Sequence, residues 1–140
     1  MRSRILKSIF SLQLLALLAA APYASAAAAV GLAPESSQAG GVSIMVQPAD
    51  VSPGAAAWSF QVALNTHSGN LEDDVAHSAT LVDAAGKPHA ALGWEGDPAG
   101  GHHRRGVLRF KPLAPQPDAI ELRIQRAGET APRVFRWNLK

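Results

Sequence analysis

The sequence lacks cysteine altogether, and this absence excludes several classes of protein. Without a thiol the chain has no disulfide framework, no thiolate metal site, no cysteine-bound iron–sulfur cluster and no lipoprotein anchor. A blue-copper electron carrier is excluded too, because its copper needs a cysteine ligand. Charged residues are also scarce, at 17% of the 140 residues, whereas 47% are apolar. This balance is too apolar for a disordered chain, and the length predicts one domain.

The first 26 residues have the pattern of a secretory signal peptide. Three basic residues occur among the first seven, an apolar stretch covers residues 9–21, and Ala24-Ser25-Ala26 supplies the small residues that signal peptidase accepts. The apolar stretch is shorter than the roughly 20 residues of a membrane span. We therefore expect cleavage after Ala26, no stable membrane insertion afterwards, and a periplasmic or secreted protein.

Cleavage would change the charge balance of the chain. It removes three of the 13 basic residues and none of the 11 acidic ones, so the mature chain would lose its positive excess. We therefore expect no nucleic-acid partner, because the mature chain would lack the net positive field that drives nonspecific binding to phosphates. Residues 27–97 are acidic and residues 98–140 are basic. This asymmetry favours ion pairs inside the fold, and the alternative is a bipolar surface that orients a partner.

The remaining sequence divides into a leader and one domain. Residues 27–40 are rich in Ala, Ser, Gly and Pro and predict a flexible leader, so the domain is expected at 41–140. In the domain, apolar residues alternate with polar ones, most clearly from Trp58 to Asn65. About seven such runs predict a single antiparallel β-sandwich, immunoglobulin-like or cupredoxin-like, with at most one helical turn between Leu71 and Val82. The runs are residues 42–47, 58–65, 79–82, 88–94, 106–111, 120–125 and 134–139.

The histidines point to a candidate metal site, since all five lie between His67 and His103. Imidazole and carboxylate ligands without sulfur suit Cu(II) or Zn(II). The candidate ligands are His67, His102, His103 and an aspartate, for which Asp74 is chosen over Asp73. Adjacent residues in a regular strand point to opposite faces, so two neighbouring histidines reach one metal only from irregular backbone. The Gly100-Gly101 pair allows such backbone.

The alternative is that these histidines are solvated side chains of a surface hairpin. Their spacing matches no recognised zinc motif such as HExxH. The other two histidines, His77 and His89, have no paired ligand nearby in sequence and are left out of the candidate set.

Catalysis finds little support in the sequence, and we predict that the protein is not an enzyme. Ser68, His67 and Asp73 contain the atoms of a hydrolase triad, but no nucleophile elbow surrounds the serine. Trp94 is expected either to stack on a flat ligand or to plug one end of the sandwich. Arg104 and Arg105 are interpreted as an exposed pair with the capacity to clamp an anion, a capacity that many proteins with such a pair never use.

A resemblance to other proteins rests on two segments. Asn65-Thr66-His67-Ser68, and Trp94-x-Gly followed by Gly-Gly-His-His-Arg-x-Gly-Val-Leu-x-Phe at residues 100–110, resemble a group of small, uncharacterised exported bacterial β-sandwich proteins. The resemblance covers most of residues 42–139 and implies an exported domain. The chain is loosely similar to periplasmic copper-binding β-sandwiches, although it has no methionine-rich run.

Two functions follow as hypotheses. The first is a non-enzymatic exported protein that binds copper or zinc through His67, His102, His103 and Asp74. The second is a metal-free periplasmic protein–protein interaction module that uses the loop over residues 94–106. The first requires the two histidine segments to lie together in space, and the second requires an exposed apolar or edge-strand surface near Trp94.

Overall fold

The computed structural model describes residues 31–140. The expected signal peptide, 1–26, and the start of the expected leader, 27–30, lie outside the described residues. Within residues 31–140 no helix has the length and apolar character needed to cross a membrane.

The described chain consists of short strands and one helical turn. The strands are β1 (Glu35–Ala39), β2 (Val42–Asp50), β3 (Trp58–Thr66), β4 (Ala79–Val82), β5 (Pro88–Ala90), β6 (Gly93–Gly96), β7 (His103–Phe110), β8 (Ala119–Ile124) and β9 (Arg133–Asn138). The helical turn, α1 (Val75–Ser78), lies between β3 and β4, where the sequence allowed one turn.

The strands form two antiparallel sheets that pack face to face. One sheet has the order β1-β2-β3-β7-β6 and the other has the order β5-β4-β8-β9. The all-β sandwich expected from the alternation is therefore confirmed, with nine strands in the described residues where the sequence indicated about seven.

Aromatic side chains fill the space between the sheets. Phe60 meets Phe110 edge to face with ring centroids 5.7 Å apart, and Trp137 lies 5.9 Å from Phe60. Trp58 is buried beside them, and its indole N–H donates to the carbonyl of Ser52 at 2.8 Å. Each large side chain buried in this way stabilises the fold by about 1.5–3 kcal/mol. Trp58 and Trp137 are both buried between the sheets.

The domain begins earlier than the expected boundary at residue 41. Residues 35–39, expected in the flexible leader, form β1, which pairs with β2 through a turn at Gly40-Gly41. Arg133 holds this hairpin from the opposite sheet: its guanidinium donates to the carbonyls of Ser37, Ala39 and Val42 at 2.8–3.2 Å. Because β1 is a mostly exposed edge strand, its sequence shows no apolar alternation.

The run at residues 88–94, expected to form one strand, contributes to both sheets. Its first part is β5, which pairs with β4, and its second part is β6, which pairs with β7. Ala91 and Leu92 carry the chain from one sheet to the other. A change of sheet leaves the apolar composition of a segment intact, so periodicity does not reveal it.

Candidate functional site

Backbone hydrogen bonds join the two segments that the sequence singled out. The N–H of Thr66 donates to the carbonyl of His102 at 2.9 Å, and the N–H of Leu71 donates to the carbonyl of Gly101 at 3.0 Å. The N–H of Gly100 returns to the carbonyl of Leu71 at 2.8 Å. The loop after β3 and the loop before β7 therefore lie side by side at one end of the sandwich.

The histidines of these loops are exposed, and their surroundings differ. His103 stands opposite Asn65 across the β3–β7 pair, and its Nδ1 lies 2.7 Å from the Asn65 side-chain oxygen. His67 and His102 lie on the neighbouring exposed turns. Over residues 31–140 no group of three or more histidine, aspartate or glutamate side chains is arranged to hold a metal ion. The metal site at His67, His102, His103 and Asp74 stays a prediction.

Asp74 caps the helical turn α1. Its Oδ1 accepts the N–H of His77 at 3.1 Å, and its Oδ2 lies 2.8 Å from Nδ1 of the same residue. The backbone N–H of His77, and then its ring, hold the pKa of Asp74 below the ordinary value of 3.8. The carboxylate is therefore already bound to a histidine outside the predicted set.

Both histidines that the sequence left out have carboxylate partners. His77 lies against Asp74, and Nε2 of His89 lies 2.9 Å from Oδ2 of Asp83. The expectation that they lack a paired ligand was therefore wrong. An aspartate three residues before a histidine is the spacing of a helix N-cap, and this signal would have identified the Asp74–His77 pair.

Arg104 is buried, which corrects its interpretation as an exposed anion clamp. Only 3% of it is accessible. Its Nη1 donates to the carbonyls of Leu71 at 3.0 Å and Asp73 at 2.7 Å. Its guanidinium also lies 5.8 Å from the centre of the Trp94 ring, within cation–π range. These partners offset part of the cost of burying the charge, while the Nε of Arg104 has no hydrogen-bond partner among the described residues. Arg104 therefore fixes the loop after β3 to strand β7.

Trp94, next to Arg104, is held in place by a hydrogen bond and by close packing. Its indole N–H donates to the carbonyl of Asp97 at 2.9 Å. Its ring lies over Gly106, where an added Cβ would come within 2.6 Å of the indole. The ring is half-buried against the core. Trp94 therefore sets the course of β6 and the loop that follows it.

Strand β6 is the outermost strand of its sheet, and within residues 31–140 it pairs with β7 alone. The N–H of Asp97 donates to the carbonyl of Arg105 at 2.9 Å. Since alternate residues of an antiparallel pair bond to the partner strand, the backbone groups of Trp94 and Gly96 face the open edge. Leu92, just before β6, is 65% exposed. The edge-strand surface that the second hypothesis requires is therefore present beside Trp94.

Ion pairs connect the acidic and basic halves of the sequence. Arg126 binds Asp73 through two hydrogen bonds of 3.1 and 3.0 Å, and Arg109 binds Glu95 at 2.9 Å. Asp73 is thereby committed to a structural pair, which removes it from the triad of atoms around Ser68. Part of the charge asymmetry is compensated within the fold.

Comparison of this chain with protein-family models and with curated protein sequences gives no match. Among solved structures, the chain is similar to the crystal structure of a DUF4426 family protein from Pseudomonas aeruginosa PAO1. The TM-score is 0.43 at 12% sequence identity, covering 75% of this chain and 91% of that chain.

Proposed function

We propose that the protein is a non-enzymatic interaction module that acts outside the cytoplasm and binds an extended segment of another protein along strand β6. The observation that carries this proposal is the open edge of β6. The signal-peptide pattern of the first 26 residues supports the location.

An exposed edge strand can accept a further strand through main-chain hydrogen bonds. Trp94 and Gly96 each direct an N–H and a C=O toward such a strand. Leu92 provides apolar surface next to them and would select an apolar residue in the bound segment. The main chain thus supplies affinity and the neighbouring side chain supplies selectivity.

The edge is also rigid before binding. Trp94 is held by Asp97 and by the close approach of Gly106, and the side chain of Asp97 accepts the N–H of Arg105 at 2.8 Å. A surface that is ordered in advance loses less conformational entropy when it binds. This rigidity distinguishes β6 from a loop that would have to order around its partner.

The experiment starts from peptides selected from a random displayed library against the purified protein. The tightest peptide is titrated into ¹⁵N-labelled protein, and we expect amide shifts centred on residues 92–97. The amides of Trp94 and Gly96 should exchange with solvent quickly in the free protein and slowly in the complex. Shifts centred on any other strand would contradict the proposal.

Two matched variants test the role of the edge. Leu92→Lys should weaken the selected peptide about tenfold, since it replaces exposed apolar surface with a charge. Val134→Lys makes the same kind of change at an exposed residue of β9, an edge strand of the other sheet, and should leave affinity unchanged. Replacing both His102 and His103 by Ala should also leave affinity unchanged. Equal loss in Leu92→Lys and Val134→Lys would contradict binding at β6.

A second candidate function is binding of Cu(II) or Zn(II) at the loop histidines. What favours it is the contact between the two loops, which brings the backbone of His102 against that of Thr66, next to His67. Calorimetric titration of the metal-stripped protein with each ion tests it, alongside the His102→Ala/His103→Ala double variant. One-to-one submicromolar binding that the double variant loses would support a metal site. Weak binding that is unchanged in the variant would leave the histidines as surface residues.

A further inference from the structure

A cavity of about 640 Å³ opens at the end of the sandwich opposite the two histidine loops. It lies between the β4–β5 turn and the connection from β7 to β8, and its walls are residues 83–89 and 111–117. Its volume is within the range of roughly 300–1,000 Å³ found for small-molecule sites. The cavity shares no residue with the β6 edge, so a ligand bound in it is independent of the proposed function.

One wall of the cavity is apolar and rigid. Pro112, Pro115 and Pro117 line it together with Leu113, whose side chain is buried in the core. Each proline fixes its own φ angle, so this connection has little conformational freedom to lose. The side-chain amide of Gln116 donates to the carbonyl of Val51 at 2.9 Å and ties the wall to the end of β2. The cavity is therefore formed before any ligand arrives.

Each of the two segments that form the cavity contributes one lysine. Lys87, His89 and Lys111 line the cavity, and Asp83 is the single carboxylate among the lining residues. Asp83 is bound by its own turn: its Oδ1 accepts the N–H groups of Ala85 and Lys87, and its Oδ2 lies 2.9 Å from the His89 ring.

The two lysines have no carboxylate partner within the described residues. None of the ion pairs over residues 31–140 includes the Lys87 or Lys111 ammonium group. Most other cations of the basic half do have such partners. Two ammonium groups without an ion-pair partner among residues 31–140 therefore border a formed cavity, one from each segment, next to the apolar surface of the prolines.

We propose that this cavity binds a small molecule that carries one carboxylate or phosphate on a short apolar body. The anionic group lies between Lys87 and Lys111, where ammonium groups give charge-assisted hydrogen bonds. The apolar body lies against Pro112, Pro115 and Pro117. A ligand needs both parts, because exposed lysines alone or exposed prolines alone are ordinary protein surface.

Three kinds of probe separate these contributions in NMR titrations of ¹⁵N-labelled protein. Phenylacetate and phenyl phosphate carry both parts, benzyl alcohol carries only the apolar part, and inorganic phosphate carries only the charge. We expect saturable shifts of the amides of Lys87, His89, Leu113 and Gln116 with one or both of the first two. Saturable binding by benzyl alcohol of equal strength, or no saturable shift with either anionic aromatic probe, would overturn the proposal.

Charge-removing variants locate the anion. Lys87→Gln and Lys111→Gln should each weaken the bound probe about tenfold, because each removes one charged hydrogen-bond donor. Arg105→Gln removes the same charge from an exposed residue at the other end of the sandwich and should leave affinity unchanged. Both lysines are exposed, so the variants are expected to fold normally, which their amide spectra will show. Wild-type affinity in both lysine variants would overturn the assignment.

Discussion

The guanidinium of Arg104 lies beneath the ring of Trp94, 5.8 Å from its centre, and donates on its other side to the carbonyls of Leu71 and Asp73. One buried side chain thus connects the edge strand β6 to the loop after β3. The sequence singled out both Trp94 and the loop after β3, which carries His67. Arg104, which the sequence indicated to be exposed, holds these two features together.

Replacing Arg104 should therefore destabilise the domain rather than alter its surface. Arg104→Ala leaves the carbonyl of Asp73 without this donor, leaves the carbonyl of Leu71 with the N–H of Gly100 alone, and removes the packing against Trp94. An unsatisfied buried polar group costs about 1–3 kcal/mol, and the lost packing adds to this. We expect a decrease of about 2–4 kcal/mol in the free energy of unfolding, measured by urea denaturation. Arg105→Ala, a neighbouring exposed residue, should change it by less than about 0.5 kcal/mol. Equal effects of the two substitutions would contradict the structural role of Arg104.

The close approach of Trp94 to Gly106 gives a second prediction. In Gly106→Ala the new methyl group would come within 2.6–2.7 Å of the indole and 2.6 Å of the Glu95 carbonyl oxygen, so the ring and the backbone of β6 must both move. Overpacking of this kind costs about 1–3 kcal/mol. Gly93→Ala adds the same methyl group to the same strand pair, where no atom of residues 31–140 other than those of its chain neighbours lies within 4 Å, and should be nearly neutral.

The readout for this pair of variants is denaturation together with tryptophan emission. Trp94 is the least buried of the three tryptophans, so displacing it should change the wavelength of tryptophan emission. We expect this change in Gly106→Ala and not in Gly93→Ala. An unchanged spectrum and stability in Gly106→Ala would show that the ring does not cover this glycine.

The alternating strands could be predicted from the sequence because one of their faces is buried. Val42, Ile44 and Val46, for instance, are apolar at every second position and all face the core. Strand β1 could not be predicted in the same way, because an edge strand made mostly of Glu, Ser and Gln buries no side chain. It is held in place by its pairing with β2 and by Arg133, which lies far away in the chain and donates to its carbonyls.

The candidate site was harder to predict for a related reason. Burial of Arg104 depends on carbonyl groups that only the tertiary fold brings near it, since charged residues are almost never buried without such partners. The end cavity depends likewise on two separate segments, residues 83–89 and 111–117, which lie next to one another only once the sheets have formed. Local residue patterns do not indicate either contact.

The Arg126–Asp73 pair should be important for stability. The Asp73 side chain is only 6% exposed and accepts two hydrogen bonds from Arg126. Removing one partner leaves a nearly buried charge without compensation, which costs about 3 kcal/mol or more. We expect this loss for Arg126→Ala, and a smaller loss when Asp73→Ala is added to it. Glu72→Ala, at the exposed neighbouring residue, serves as the control and should have little effect.

Acid should destabilise the β4–β5 turn through Asp83. The His89 ring, and then the N–H of Lys87, hold the pKa of this carboxyl below its ordinary value of 3.8. A carboxyl whose pKa is lowered by folding stabilises the folded state above its unfolded pKa and loses that contribution as pH falls through the folded pKa. The contribution of Asp83 is therefore complete above about pH 5 and is lost progressively as the pH falls below 3.8.

This pH dependence is checked by denaturation between about pH 2 and pH 7 in the wild type and in Asp83→Asn. The variant should be less stable near neutral pH and should show a shallower loss in acid, because it has no carboxylate to protonate at this position. A parallel decline in both proteins would show that Asp83 does not contribute.

Because the chain crosses between the sheets at Ala91 and Leu92, cleavage of the backbone at this one place should leave the fold intact. Each resulting piece supplies strands to both sheets: residues 31–91 contain β1 to β5, and residues 92–140 contain β6 to β9. The pieces remain interleaved through the β3–β7 and β4–β8 pairs. The piece 31–91 carries six carboxylates and one lysine, and the piece 92–140 carries nine cations and five carboxylates. The two pieces therefore have opposite net charges and attract one another. A protease that cleaves beside the exposed Leu92 should yield a nicked but folded protein, and the two pieces expressed separately should assemble as a split protein.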